Sequence, residues 1–259
     1  MWAGVVRKRA TKEVFRRRVW ALICHYYRLN RAEDSSRLAA FMKNPIKAVI
    51  FDYGGVLSLQ PRPEEVRRLR ELCALSAEAF ERLYFGMRPE LDRDSMTGQE
   101  YWSRLLEAGG VAPSERLIRS LTARDLAGWT HPNQPLVSWA RRLRRGGWRT
   151  ALLSNMPASF LPALEHRFRA LLEFEPRIYS CQVRMIKPEP EIFHHCLKLL
   201  EAKPEEVLFL DDNAENAASA LRLGIHALHY DSLERIAVEL RKCFALPELA
   251  APEPARLKG

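Results

Sequence analysis

The chain has 259 residues, 47% of them hydrophobic, enough for one large domain or a core with an inserted second unit. The formal charge is +9, but residues 1–41 hold ten Lys/Arg against three acids, so +7 of it sits in a leader and a nucleic-acid reading of the body loses its support. The five cysteines (Cys24, Cys73, Cys181, Cys196, Cys243) show no C-x-x-C spacing, indicate neither a zinc site nor a disulfide framework, and fit reduced thiols in a cytoplasmic protein.

The Arg-rich leader spans residues 1–41. Its longest apolar run, Val19 to Cys24, is far short of the roughly 20 residues a membrane span needs. Two readings stand for it: a basic amphipathic helix for a membrane or partner, or a segment that is not translated. Met42 opens "MKNPIKAVIFDYGG" and is expected to be the natural start, which intact mass from the native host checks.

"KAVIFD" (47–52) is a short apolar run bounded by glycine, the pattern of a buried parallel strand. Residues 62–147 follow with helical spacing in "PEEVRRLRELC", "SAEAFERLYF", "TGQEYWSRLLEAGG", "SERLIRSLTARD" and "QPLVSWARRLRRGG". Thr97 with Glu100 is a capping-box signature for the third of these. "WRTALLSN" (Trp148–Asn155) predicts a second strand, "PRIYSCQV" a third, "EEVLFLDD" a fourth and "IHALHY" a fifth. Helices are predicted between them over 156–171, 189–201, 214–223 and 232–243, and the tail after Ala245 is Pro/Ala-rich. This alternation predicts an α/β fold, a doubly wound parallel sheet. The expected division is a core of 42–57 with 148–245, a helical cap over 58–147, and a flexible tail over 246–259.

In such a sheet, ligands bind beyond the carboxyl ends of the strands. The first predicted strand ends in Asp52, the second in Ser154-Asn155, the fourth in Asp211-Asp212, and Lys187 follows the third. Singly, each has a modest explanation as a turn or cap residue. Caps do not explain why two separate strands deliver carboxylates to one edge, where they repel unless a cation joins them. A hard cation with few protein carboxylates and open positions for phosphate oxygens suggests Mg²⁺. A lysine, a hydroxyl and backbone N–H groups would hold the rest of a phosphate. The residues thus point to phosphoryl transfer to or from a carboxylate.

The order "FDYGGVL", "LLSN", "KPEPEIF", "FLDDNAEN" resembles the haloacid dehalogenase superfamily from Lys47 to about Tyr230. Within it, "DDNAEN" and "DRDSMTGQEYW" resemble the branch of sugar-1-phosphate phosphatases and the N-terminal phosphatase domain of soluble epoxide hydrolase. The resemblance implies a Rossmann-like core with an inserted cap of the C1 type. It implies that Asp52 is the nucleophile, becoming an aspartyl phosphate. Asp52, Asp212 and the backbone carbonyl of Gly54 would bind Mg²⁺. Ser154, Lys187 and the backbone N–H of Asn155 would hold the phosphoryl group. Asn216 would bind a metal-bound water or orient Lys187, and Asp211 would support the site. The partner is then a small phosphorylated metabolite.

One position departs from the superfamily's usual pattern. The second aspartate, two residues after the nucleophile, is replaced by Gly54. Proton transfer by a placed side chain contributes about 10²–10⁴-fold, roughly 3–5 kcal/mol of barrier. The loss hurts least where the leaving group is good, which favours a sugar 1-phosphate. A cap residue is the other source of a proton, with Asp92, Arg93 and Glu100 in the matching region. Two alternatives stay open: a metal-independent 2-haloacid dehalogenase, and a binding or regulatory domain that kept the fold and lost turnover.

Overall fold

The computed structural model describes residues 46–249. The leader, the start at Met42 and the last ten residues lie outside the described residues. No helix among the described residues is long and apolar enough to cross a membrane.

The described residues form five strands, β1 (Ala48–Phe51), β2 (Arg149–Ser154), β3 (Arg177–Tyr179), β4 (Val207–Asp211) and β5 (His226–His229). They form one sheet in the order β3-β2-β1-β4-β5, and every neighbouring pair is parallel. The chain leaves β1 toward β2 on one side and returns through β4 on the other. The crevice between β1 and β4 is therefore the switch point at which an open parallel sheet binds ligands.

Period-two alternation explains why β1 is apolar throughout. Val49 and Phe51 face one layer with Leu152, Leu208 and Leu210, packed by α6 (Gln134–Arg145), α7 (Leu161–Arg167) and α11 (Leu233–Cys243). Ala48 and Ile50 face the other layer with Ala151, Leu153 and Phe209, under α9 (Pro190–Leu200) and α10 (Ala214–Arg222). A strand covered on both faces needs no polar alternation.

A third apolar cluster joins α1 (Pro63–Leu72), α2 (Ala77–Gly86), α3 (Arg88–Asp92), α4 (Gly98–Ala108) and α5 (Glu115–Gly128) around Tyr101, Trp102, Leu105 and Leu121. The capping box of α4 forms as the sequence predicts: Glu100 N donates to Thr97 Oγ1 at 3.1 Å, and Thr97 N donates to Glu100 Oε2 at 2.8 Å. Helix α6 lies inside the expected 58–147 segment, yet Leu136, Trp139 and Leu143 pack on the sheet with Phe51.

Two segments differ from the predicted elements. The third strand is only Arg177–Tyr179, and Ser180–Val183 forms a short helix, α8. Ser180 turns its hydroxyl to main-chain groups of Asp92 and Met156, which takes it out of the ladder. The helix expected over 156–171 is broken into a 3₁₀ turn at Ala158–Phe160, α7, and a second 3₁₀ segment at Arg169–Glu173. Pro157 and Pro162 each lack the N–H a continuous helix requires, and Phe168 leaves helical geometry at φ −125° and ψ 67°.

Candidate active site

Asp52 is the first residue beyond β1, and Asp211 and Asp212 lie at the end of β4 next to it. One carboxylate oxygen from each of the three lies within 4.8 Å of the other two. Lys187 enters from the loop between α8 and α9. Its Nζ stands 2.7 Å from Asp52 Oδ1 and 2.7 Å from Asp211 Oδ2. The lysine is 3% exposed, so this ammonium has left water for two carboxylates.

The supporting bonds differ from residue to residue. Asp52 Oδ1 accepts from Tyr53 N at 2.7 Å. Asp211 is saturated: Asn213 N and Asn216 Nδ2 donate to Oδ1 at 2.7 and 3.1 Å, and Lys187 holds Oδ2. Asn216 thus acts on Asp211, which in turn holds Lys187. Asn155 brackets the main chain of Lys187: its Nδ2 donates to Lys187 O at 2.9 Å, and Lys187 N donates to its Oδ1 at 2.8 Å. Ser154 ends β2, one strand over, its buried hydroxyl making a long 3.4 Å bond to Asn155 O.

Gly54 lies in the loop after Asp52, where an ideal Cβ would stand 3.1 Å from Trp129 Cζ3. Gly55 has φ +72°, and a Cβ there would stand 2.2 Å from Asp212 Oδ2. Only glycine lets the loop pass so close to that carboxylate. Gln60 was not among the candidates from the sequence, yet its Nε2 donates to Asp212 Oδ2 at 2.6 Å. Nothing in a lone loop glutamine announces this contact across 152 positions.

The charges are unbalanced. Three carboxylates face one ammonium. Burial, reinforced by the Asp211 charge, pushes the Asp52 carboxyl well above its ordinary value, with Lys187 working against the rise. Burial and Asp211 push Asp212 up to about 7. Burial pulls Lys187 down, but Asp211 and Asp52 outweigh it and leave the amine raised and charged. A divalent cation would cancel the excess. Asp211 has both oxygens engaged; Asp52 and Asp212 each keep an oxygen for a ligand. The donors are all oxygens, as a hard cation requires, and the residues fit one.

A model of the haloacid dehalogenase-like hydrolases matches residues 46–224. The mouse bifunctional epoxide hydrolase 2 is 28% identical over 234 residues, covering 81% of this chain and 41% of that protein. The chain thus spans less than half the length of the first curated relatives it matches. A sesquiterpene phosphatase of Aspergillus oryzae is 27% identical over 203 residues, covering 78% of this chain and 98% of that one. A haloacid dehalogenase family enzyme of Bacteroides thetaiotaomicron, solved with magnesium and inorganic phosphate, superposes with a TM-score of 0.57 at 22% identity, covering 72% of this chain and 94% of its own. That likeness concerns the fold. The carboxylates that converge beyond β1 and β4 stand at the carboxyl edge where an open parallel sheet binds ligands, and the chain belongs to the haloacid dehalogenase-like hydrolases.

Proposed function

We propose that this hydrolase cleaves small phosphate monoesters with Mg²⁺ through an aspartyl phosphate on Asp52. The observation that carries the reading is Asp52, at the switch point of the sheet, with the buried Lys187 ammonium 2.7 Å away and Asp212 in the same acidic cluster. A nucleophilic carboxylate next to a fixed cation is what attack on a phosphate dianion needs, because the cation offsets the repulsion.

The roles are those the resemblance implies, and the placement of Asp52, Asp212 and Lys187 supports them. Asp52 attacks phosphorus. Asp52, Asp212 and the carbonyl of Gly54 hold Mg²⁺, which when bound supplies positive charge against the phosphate oxygens. Lys187 donates to the transferring group, with Ser154 Oγ and the Asn155 N–H beside it. Asp211 and Asn216 keep Lys187 extended and charged. Asn155 does the same for its main chain. With glycine at 54, the proton for the departing oxygen has to come from another group at the site, and sugar 1-phosphates are the first substrate class to test.

The test is phosphate release from a panel of phosphorylated metabolites, with Mg²⁺ and with EDTA, beside Asp52→Asn. The expected result is Mg²⁺-dependent release that falls to background in the variant. Activity of the variant equal to wild type, or no release from any ester, overturns the reading.

A further inference from the structure

The site as described has no side chain at position 54 to protonate a departing oxygen, and Trp129 fills the space one would need. Three cap residues were candidates for that proton. Glu100 faces solvent and is engaged at the N-terminus of α4 by Thr97. Arg93 makes a bidentate ion pair with Glu189. Asp92 remains.

Asp92 ends α3 and is pinned to the sheet's carboxyl edge. Ser180 Oγ donates to Asp92 O at 2.5 Å and accepts from Met156 N at 2.8 Å, two residues after Ser154. Its neighbour Arg93 pairs with Glu189, two residues after Lys187. Asp92 is thereby held between the loop that follows β2 and the loop that carries Lys187. Its carboxyl is buried, and its Oδ1 makes no hydrogen bond. The nearest cation is Arg88 Nη2 at 3.5 Å, and Arg88 is shared with Asp125 at 3.3 Å. Asp125 has a partner of its own in the Tyr84 hydroxyl at 2.5 Å. Asp92 Oδ1 is thus held only by the long ion pair to Arg88 Nη2, with no hydrogen bond of its own, and a proton or a ligand group on it would improve its balance.

The charged and titratable groups around Asp92 are Arg88 on its own helix, Asp125 from α5, Lys187, and the Cys181 thiol of α8. Burial first, then Asp125, raises the Asp92 carboxyl against Arg88 and Lys187. A raised carboxyl carries a proton closer to neutral pH, as a general acid should.

Resting on the phosphatase reading, we propose that Asp92 is the catalytic acid and base that position 54 does not supply. As Asp52 bonds to phosphorus, the bond from phosphorus to the ester oxygen breaks, and that oxygen takes its electron pair and the Asp92 proton. The Asp92 carboxylate then takes a proton from water as the water oxygen bonds to phosphorus. The bond from phosphorus to Asp52 breaks, phosphate leaves, and both aspartates return to their starting states.

The experiment compares kcat/KM for p-nitrophenyl phosphate and glycerol 3-phosphate, because this ratio reports the step that expels the leaving group. Nitrophenolate leaves without a proton; an alkoxide does not. In Asp92→Asn, the aryl ester is expected within threefold of wild type and the alkyl ester down about 100-fold or more. Asp92→Glu keeps the acid and is expected to regain at least tenfold on the alkyl ester. An equal fall on both esters marks a structural role and overturns the proposal, as does no difference between wild type and Asp92→Asn on the alkyl ester. Wild type gives a test that needs no variant: its kcat/KM across aryl and alkyl phosphates should vary weakly with leaving-group pKa, and a steep dependence overturns the proposal. Failure of wild type to hydrolyse either ester overturns the phosphatase reading itself, whereas loss of selectivity in an active enzyme removes only Asp92.

Discussion

Trp129 stands against Gly54: a Cβ built on that glycine would lie 3.1 Å from Trp129 Cζ3. The indole is fixed at its own backbone, since Tyr53 Oη donates to Trp129 O at 2.6 Å and the Ser58 hydroxyl donates to the same carbonyl. Those bonds hold the main chain of residue 129 against the loop that carries Asp52, so the indole clears an added side chain only by changing rotamer. Gly54→Asp, which restores the residue common elsewhere in the superfamily, is therefore expected to lower stability by about 1–3 kcal/mol and to leave turnover unimproved. Trp129→Ala in the same chain should relieve part of that cost, a coupling visible in a double-mutant cycle by urea denaturation. A fully stable, faster Gly54→Asp enzyme would show that the indole is no obstacle.

Lys187 holds two carboxylates from different strands. Replacing it by Met fills a similar volume but leaves Asp52 and Asp211 buried with no compensating charge. Removing one partner of a buried pair costs about 3–5 kcal/mol. Lys187→Met is expected to lose that much in urea denaturation and to hydrolyse no ester above background. A variant as stable as wild type would mean that the carboxylates are neutral in the folded chain.

These residues were legible in the sequence for a simple reason. A strand buried on both faces reads as an uninterrupted apolar run, so a polar residue at its end stands out, as Asp52 does after "AVIF" and Asp211 after "VLFL". Lys187 was legible through its place in an ordered set of motifs. Gln60 and Asp125 were not: their partners lie 152 and 41 positions away, and no local period encodes such a choice; Arg88 stands at i,i+4 from Asp92, but its bond to Asp125 spans 37 positions. The end of β3 was misread because "IYSCQV" continues as an apolar segment, while the hydroxyl of Ser180 decides where the strand stops. Helix α6 resembles its neighbours in spacing, and only packing assigns it to the sheet.

The unbalanced acids predict a metal effect on stability as well as on turnover. A ligand that binds only the folded chain at 100 times its Kd adds about 2.7 kcal/mol. For a body of this size that is a rise in Tm of about 5–10 °C. Thermal melts with Mg²⁺ and with EDTA should differ by that amount, and Asp212→Asn should abolish the difference. Equal melts of the wild type in the two conditions would mean that the acids at 52 and 212 do not share a cation.

His226, at the start of β5, gives a pH dependence outside the site. Burial pulls its pKa below the ordinary histidine value, opposed by its contact with Glu205, whose carbonyl lies 3.2 Å from Nε2. The unfolded chain therefore binds a proton that the folded chain resists. The contribution of the neutral ring is complete above the unfolded pKa, about 6.5, and is lost as pH falls below it, because protons then favour the unfolded chain. Stability should fall as pH drops from 7.5 toward 5. Other groups titrate over that range, so the measurement is a difference. His226→Gln, which carries no charge at either pH, should melt with a shallower pH dependence than wild type when both are held in saturating Mg²⁺. Parallel curves for the two chains would show that the ring protonates equally in the folded and unfolded states.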